Sequence, residues 1–387
     1  MEKVRIGVIG LGNMGTAVAR WIHGGEAPAL ELAAICDIDQ NRLEWGRKEF
    51  GGKIAFYPQA ERLFAARCID AAYIATPHYF HPPLAIQAFS AGLHVLIEKP
   101  AGVYTQQVRK MNEAARKSGK VFGIMFNQRC TPVYRKLRDL VQSGELGKIM
   151  RTNWIITAWF RSQSYYDSGG WRATWAGEGG GVLINQCPHN LDLWQWICGM
   201  PCRVRAFGGF GKYHRIEVED DVTAYVEYPG GATGVFITTT GESPGTNRLE
   251  IACDRGKVVL ENDRITFWRT RESVSKFCAE FKGGFGEPEC WETNIPAPGH
   301  NLQHIGILRN FADAILRKAK LLAPGEDGIL SLNISNAIHL SMWTDDWVKI
   351  PVDEKRFLSE LNKRIAKSRY KKSGKGGGRV LDINKSW

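Results

Sequence analysis

The hydrophobic pattern changes character near residue 126. Before it, short apolar runs alternate with segments of helical periodicity. Residues 4–9, 30–36, 54–57, 71–75, 94–97 and 121–126 read as strands, and 16–22, 41–50, 81–90 and 105–118 as helices. Short apolar strands separated by helices predict a parallel sheet covered on both faces. After one helix at 132–143 the runs lengthen. Residues 149–159, 204–210, 221–228, 232–240, 248–252 and 257–261 alternate in polarity, rich in β-branched and aromatic residues, with Gly-containing turns between several of them. That pattern predicts a large, mostly antiparallel open sheet. Helical periodicity returns at 301–318 and 330–347. The expected architecture is a doubly wound α/β domain over residues 1–126, an α+β domain over 127–350, and a basic tail over 351–387.

Composition narrows the class. Hydrophobic residues at 44% and charged residues at 24% are ordinary for a globular chain with a sizeable core. No apolar run reaches the ~18 residues that span a bilayer. The opening residues lack the basic, apolar, small-residue order of a signal peptide, so a cytoplasmic location without membrane partners is expected. The nine cysteines include no Cys-x-x-Cys; Cys198 and Cys202 have no second pair to complete a zinc site. Buried thiols and no bound metal are expected. Of the net charge of +11, eight units sit in residues 361–387, where nine Lys/Arg face one acid, Asp382. The rest of the chain is near neutral. The Gly376-Gly377-Gly378 run predicts a solvated tail, and with only Tyr370 and Trp387 as aromatics the tail does not read as a nucleic-acid arm.

Chemistry first shows at Gly10-Leu11-Gly12-Asn13-Met14-Gly15, between the first strand and first helix. The first glycine permits a tight turn, the second lets a pyrophosphate approach the backbone, and the third lets helix and strand pack closely. Free N–H groups at the helix start, around Asn13 and Met14, favour the phosphates. Asp37 ends the second strand, ~20 residues on, where a carboxylate accepts from ribose hydroxyls and repels a 2′-phosphate. A Rossmann domain that prefers NAD over NADP follows, although Arg42 is nearby.

Three further stretches carry a resemblance: Thr76-Pro77-His78-Tyr79-Phe80-His81, Glu98-Lys99-Pro100, and the run from Gly179-Gly180-Gly181 through Asn185 to His189 and Asp192. Together with the glycine turn they resemble the glucose–fructose oxidoreductase, inositol dehydrogenase and MocA-like family, over about residues 3–350. The resemblance implies an active site in a cleft between the two domains, with Lys99 and His189 at the reacting hydroxyl and Pro100 after a cis peptide. It also implies a homo-oligomer, a dimer or tetramer, and an NAD that is held tightly in some members. Many relatives have Asp where this chain has Asn185; an Asn neither acts as a base nor pairs with a charged His, so weight shifts to Lys99 or to His189 alone. The run Trp171-Arg172-Ala173-Thr174-Trp175-Ala176-Gly177-Glu178, just before the glycines, resembles a branch that oxidises glucosides, often at C-3.

The residues carry a consistent chemistry. Ligands in open α/β sheets bind beyond the carboxyl ends of the strands, which places Lys99 near a nicotinamide. Burial and a neighbouring positive charge lower the pKa of such a lysine and suit it to take a hydroxyl proton. His189 stands near a helix start, with Asp192 on the same helical face. Asn185 reads either as a hydrogen-bonding partner of sugar hydroxyls or as a turn residue. Thr76, Pro77, His78, His81 and Glu98 border the cofactor cleft; His81 reads equally as a helix cap. Arg129, Tyr165, Trp171, Arg172 and Trp175 are candidates for a sugar pocket, where aromatic platforms and a few polar groups converge. Two other functions share these features. One is redox-neutral glycoside cleavage or epimerisation with NAD recycled in place; the other is a non-catalytic NAD or metabolite sensor.

Overall fold

Six buried apolar runs assemble into one parallel sheet in the computed structural model, which describes residues 3–368. The strands are β1 (Val4–Ile9), β2 (Leu30–Cys36), β3 (Ala55–Tyr57), β4 (Ala71–Ile74), β5 (His94–Ile97) and β6 (Phe122–Ile124), in the order β3-β2-β1-β4-β5-β6. Helices α1 (Asn13–His23), α2 (Gln40–Phe50), α3 (Ala60–Ala65), α4 (His81–Ser90) and α5 (Thr105–Ser118) connect them. All four residues of β4 are buried, as expected of a strand covered on both faces. The strand order reverses between β1 and β4, and a crevice opens there at the carboxyl ends.

The second sheet has nine strands. They are β7 (Ile149–Ile156), β8 (Arg203–Phe210), β9 (Glu219–Glu227), β10 (Thr233–Thr239), β11 (Asn247–Cys253), β12 (Gly256–Glu261), β13 (Arg264–Thr270), β14 (Cys290–Ile295) and β15 (Val348–Lys349). Their order is β14-β13-β12-β11-β7-β10-β9-β8-β15, antiparallel throughout except where β7 lies parallel to β10. The remaining helices are α6 (Pro132–Gln142), α7 (Gln163–Asp167), α8 (Pro188–Cys198), α9 (Val274–Glu280), α10 (Gln303–Arg317), α11 (Gly328–Thr344) and α12 (Glu354–Lys367). Helices cover one face: Trp194 of α8 stacks on Phe236 of β10 with centroids 5.4 Å apart, and Ser341 of α11 accepts from the Ala206 N–H of β8 at 2.9 Å. On the other face Phe207 of β8 and Tyr225 of β9 are exposed.

Two elements cross the expected boundaries. The sheet of residues 1–126 is not closed by its own helices, because α10 returns to cover it. Phe311 reaches β6 at Gly123, Arg309 donates to the Glu26 carbonyl at 2.8 Å, and His304 packs on Trp21 at 5.3 Å between centroids. At the other end, residues 354–367 are a helix rather than tail. Asp353 caps it by accepting from the N–H groups of Lys355 and Arg356, both at 3.0 Å, and Phe357 and Leu361 are buried, Phe357 against Trp343. The charged tail read at 361–387 missed this because the apolar pair is sparse among many charges. Residues 369–387, with the glycine run, lie outside the described residues. No helix among the described residues is long and apolar enough to cross a membrane.

Candidate active site

The cofactor cradle forms where β1 turns into α1. Gly10 has φ +94°, and a Cβ there would meet the Ala75 carbonyl oxygen at 2.8 Å. A Cβ on Gly15 would stand 1.7 Å from the Gly10 oxygen, so α1 packs directly on the turn. Gly12 differs: its nearest neighbour would be the Arg42 guanidinium at 3.8 Å, which leaves the space open for a pyrophosphate. No side chain caps α1, and its N-terminus, at half-buried Asn13 and Met14, borders the glycine turn and suits a phosphate. Asp37 accepts from the N–H groups of Leu11 at 2.6 Å and Asp39 at 2.9 Å, tying the glycine turn to the end of β2. Carboxylate oxygens so engaged keep lone pairs for a ribose. Arg42 donates to the Leu11 carbonyl at 2.7 Å, which commits it to the same turn. Ile38 beside Asp37 is 89% exposed, an apolar lip for an adenine that the sequence reading passed over. Across the crevice, beside half-buried Pro77, the Thr76 hydroxyl is buried without a hydrogen-bond partner among the described residues. An open glycine, an uncapped helix and an orphan hydroxyl on one crevice fit a dinucleotide.

Lys99 leaves the end of β5 ahead of a cis peptide to Pro100. Half-buried, it donates from Nζ to the Asn185 carbonyl at 2.8 Å. Desolvation brings its pKa down to about 8; the positive charges of Arg172 and Arg161 push the same way, against Glu98 and Glu178. Glu98 is turned inward: its carboxylate accepts from the Tyr73 hydroxyl and, at 3.1 Å, from the Lys99 N–H. This buried carboxylate braces the loop.

The second half of the site is a glycine-rich loop pinned to β9. Glu219 accepts from the N–H groups of Gly181 at 2.8 Å and Leu183 at 3.0 Å, and a Cβ on Gly181 would meet the Glu219 carbonyl oxygen at 2.0 Å. The same carboxylate stands 3.0 Å from His339. The loop delivers Asn185 to Lys99 and starts α8 with Pro188 and His189. His189 is buried edge-on to Phe126. Burial, and then the charge of Lys99, hold its pKa well below the usual range, so it is a neutral imidazole. His304 of α10, which nothing in the local sequence singles out, joins the same region and is pushed down to about 3 by burial and by Lys99.

Around Asn185 the polar groups form one network. Its side-chain amide donates to Glu178 and its Oδ1 accepts from the Tyr165 hydroxyl at 3.3 Å. Tyr165 in turn accepts from Arg172 at 2.9 Å and Gln186 at 3.2 Å. The Arg172 guanidinium lies over the rings of Tyr165, at 4.8 Å, and Trp171, at 4.7 Å. His78 meets Trp171 edge-on and bonds through Nδ1 to the Glu178 carbonyl at 3.1 Å. Tyr165, Trp171, Arg172 and His78 therefore form one cluster beside Asn185.

Other candidates are placed elsewhere. Arg129 is buried and makes two bonds to Asp192, at 2.7 and 2.6 Å, and one to Asp327 at 2.7 Å. Burial opposes its charge, but the two carboxylates outweigh that and raise its pKa. It locks α8 to the chain before α11 and does not line the pocket, and Asp192 serves Arg129 rather than His189. Trp175 is buried against Trp343, His339 and Phe210, in the core of the second domain. Both ring nitrogens of His81 meet main-chain carbonyls, Pro100 at 2.8 Å and Thr76 at 2.7 Å, so it stitches the loops after β4 and β5 together. Among the described residues no three His, Cys, Asp or Glu side chains cluster as metal ligands do. In the sequence Glu178 ends the run from Trp171, and nothing there signals its contact with Asn185.

Comparison with known proteins agrees with this geometry. The profile described as "Oxidoreductase family, NAD-binding Rossmann fold" matches residues 4–126, and that of the GFO/IDH/MocA C-terminal domain matches residues 134–259. The D-glucoside 3-dehydrogenase of Escherichia coli is 28% identical over 59% of this chain and 68% of its own length. The levoglucosan dehydrogenase of Pseudarthrobacter phenanthrenivorans is 24% identical over 91% and 99%. The crystal structure of the WlbA dehydrogenase of Bordetella pertussis with NADH and UDP-GlcNAcA superposes with a TM-score of 0.77 at 25% identity, covering 91% of this chain and 100% of that one. With both halves of the family matched, the chain belongs to the GFO/IDH/MocA family and is an NAD-dependent oxidoreductase of the sugar-dehydrogenase type.

Proposed function

We propose that this enzyme oxidises a ring hydroxyl of a glycoside, at C-3, to the keto sugar, with Lys99 as proton acceptor. The observation that carries the reading is the half-buried Lys99 amine at the carboxyl end of β5, 2.8 Å from the Asn185 carbonyl and within the electrostatic reach of His189. Bound NAD supplies the hydride acceptor. Lys99 in its neutral form takes the hydroxyl proton as the carbinol C–H gives up hydride, leaving a C=O. His189, neutral and buried, is placed to hydrogen-bond the same oxygen. Trp171, Tyr165 and Arg172 form the platform against which a sugar ring packs, and Asn185 meets its hydroxyls. The similarity to a D-glucoside 3-dehydrogenase supports C-3 as the carbon oxidised. The exposed sheet face with Phe207 and Tyr225 supports assembly into a homo-oligomer.

The test is NADH absorbance after mixing the protein and NAD⁺ with a panel of glucosides, free sugars and inositols, followed by identification of the product. A rise with glucosides, a 3-keto product, and loss of the rise in Lys99→Met are expected. A rise restricted to inositols, or turnover that survives Lys99→Met, would sink the reading.

A further inference from the structure

Position 185 holds an amide, yet the site does contain a carboxylate, brought from another place. Glu178 is buried, and a buried carboxylate is costly unless donors surround it. Its donors belong to the pocket. The Ala173 N–H reaches one oxygen at 2.5 Å; the other accepts from the Asn185 side chain and lies 3.8 Å from Arg172. Since the Asn185 amide nitrogen is committed to Glu178, its Oδ1 has to face Tyr165. The main-chain carbonyl of the same Asn185 holds the Lys99 amine.

We propose that Glu178 is the positioning residue of this reaction centre: its carboxylate orients the Asn185 amide and supplies, from seven residues upstream, the negative charge that balances Lys99 and Arg172 during proton transfer. This rests on Lys99 being the proton acceptor. What matters is then one carboxylate in contact with one amide, whichever position carries which. Glu178→Gln leaves two amides and no charge. Asn185→Asp sets two carboxylates against each other, and like charges that close cannot both ionise freely. The double variant restores one of each.

The experiment compares the three variants with the wild type in two ways. One is kcat and KM on a sugar that the wild type oxidises. The other is the pH dependence of Lys99 acetylation by acetic anhydride, read by mass spectrometry. Glu98, Arg161, Arg172 and the histidines His78, His81, His189 and His304 also face Lys99 and are the same in every variant, so differences report on the exchanged pair. Glu178→Gln is expected to lower kcat about 100-fold, the scale of a misplaced reacting group, and to shift Lys99 labelling to lower pH. Its KM is expected to move less than about threefold, as for an interaction made mainly in the transition state. The double variant is expected to recover most of the kcat and the wild-type labelling curve, which a merely structural glutamate would not give. Wild-type kcat and labelling in Glu178→Gln overturn the proposal. So does a double variant no better than the single, when melting and NADH fluorescence titration show it folded. Should Glu178→Gln not fold, Glu178→Asp replaces it: lost kcat with labelling near wild type supports the proposal, and unchanged kcat overturns it. A wild type that oxidises no sugar refutes the proposed function, while the labelling arm still decides on Glu178.

Discussion

In the proposed reaction Lys99 serves as a base because its surroundings make its charge expensive. In water a lysine is protonated throughout the physiological range; here desolvation, helped by Arg172 and Arg161, brings its pKa down to about 8. A lowered pKa means that the neutral, proton-accepting form grows as pH rises through that value. Sugar oxidation should therefore climb between about pH 7 and 9 and level off above. Reduction of the keto sugar, which needs the protonated form, should run the opposite way. Lys99→Met should lose about 10²- to 10⁴-fold in kcat and with it this limb of the pH profile, measured by NADH absorbance at saturating substrate. Retention of the limb in the variant would assign it to another group. The residue was legible because Glu98-Lys99-Pro100 follows a buried strand. The roles of its neighbours were less so: a guanidinium such as Arg129 looks the same in sequence whether it faces a sugar or two buried carboxylates.

Between β1 and α1, three glycines of one motif do three different jobs, and the spaces around them differ accordingly. At Gly15 an added methyl collides with the Gly10 carbonyl, whereas at Gly12 it meets only the tip of Arg42. Gly15→Ala should therefore destabilise the fold by about 3 kcal/mol, the upper range for overpacking. Gly12→Ala should fold normally yet bind NADH at least about tenfold more weakly, about 1.4 kcal/mol, because its methyl takes pyrophosphate space. Thermal melting and NADH fluorescence titration separate the two effects. Weak binding from Gly15→Ala with an unchanged Tm, or unaltered binding by Gly12→Ala, would contradict this division of labour. Elements of strong periodicity such as α5 and α11 matched their expected spans to within a few residues. The short α3, and the edge strand β14 whose residues are mostly exposed, did not announce themselves, since neither shows a clean apolar face.

At the scale of the whole molecule, the chain crosses between its halves more than once. The first sheet depends on α10, more than 170 residues downstream of β6, for part of its cover. Gly123 also makes a bridge to Pro324, and the Ile124 N–H bonds to the Ala323 carbonyl at 3.1 Å. A fragment of residues 1–126 would expose the apolar surface, Trp21 included, that Phe311 and His304 now cover. It should show no cooperative thermal unfolding and should not bind NADH, whereas the full chain should do both. A fragment that melts cooperatively and binds NADH would show that α10 is dispensable to the first domain.

Alternation of strand and helix, the glycine turn and the acidic strand end were enough to determine a dinucleotide domain and a following sheet domain, because periodicity and backbone sterics act over short stretches of chain. Lys99 and His189 stood out through motifs that carry a family resemblance. Only the tertiary structure decided which polar residues meet. It turned Arg129 and Trp175 into core, made His81 a stitch between loops, brought His304 in from α10, and set Glu178 against Asn185. Burial and charge pairing depend on what lies across a gap in space, and such distances are not encoded in spacing along the chain.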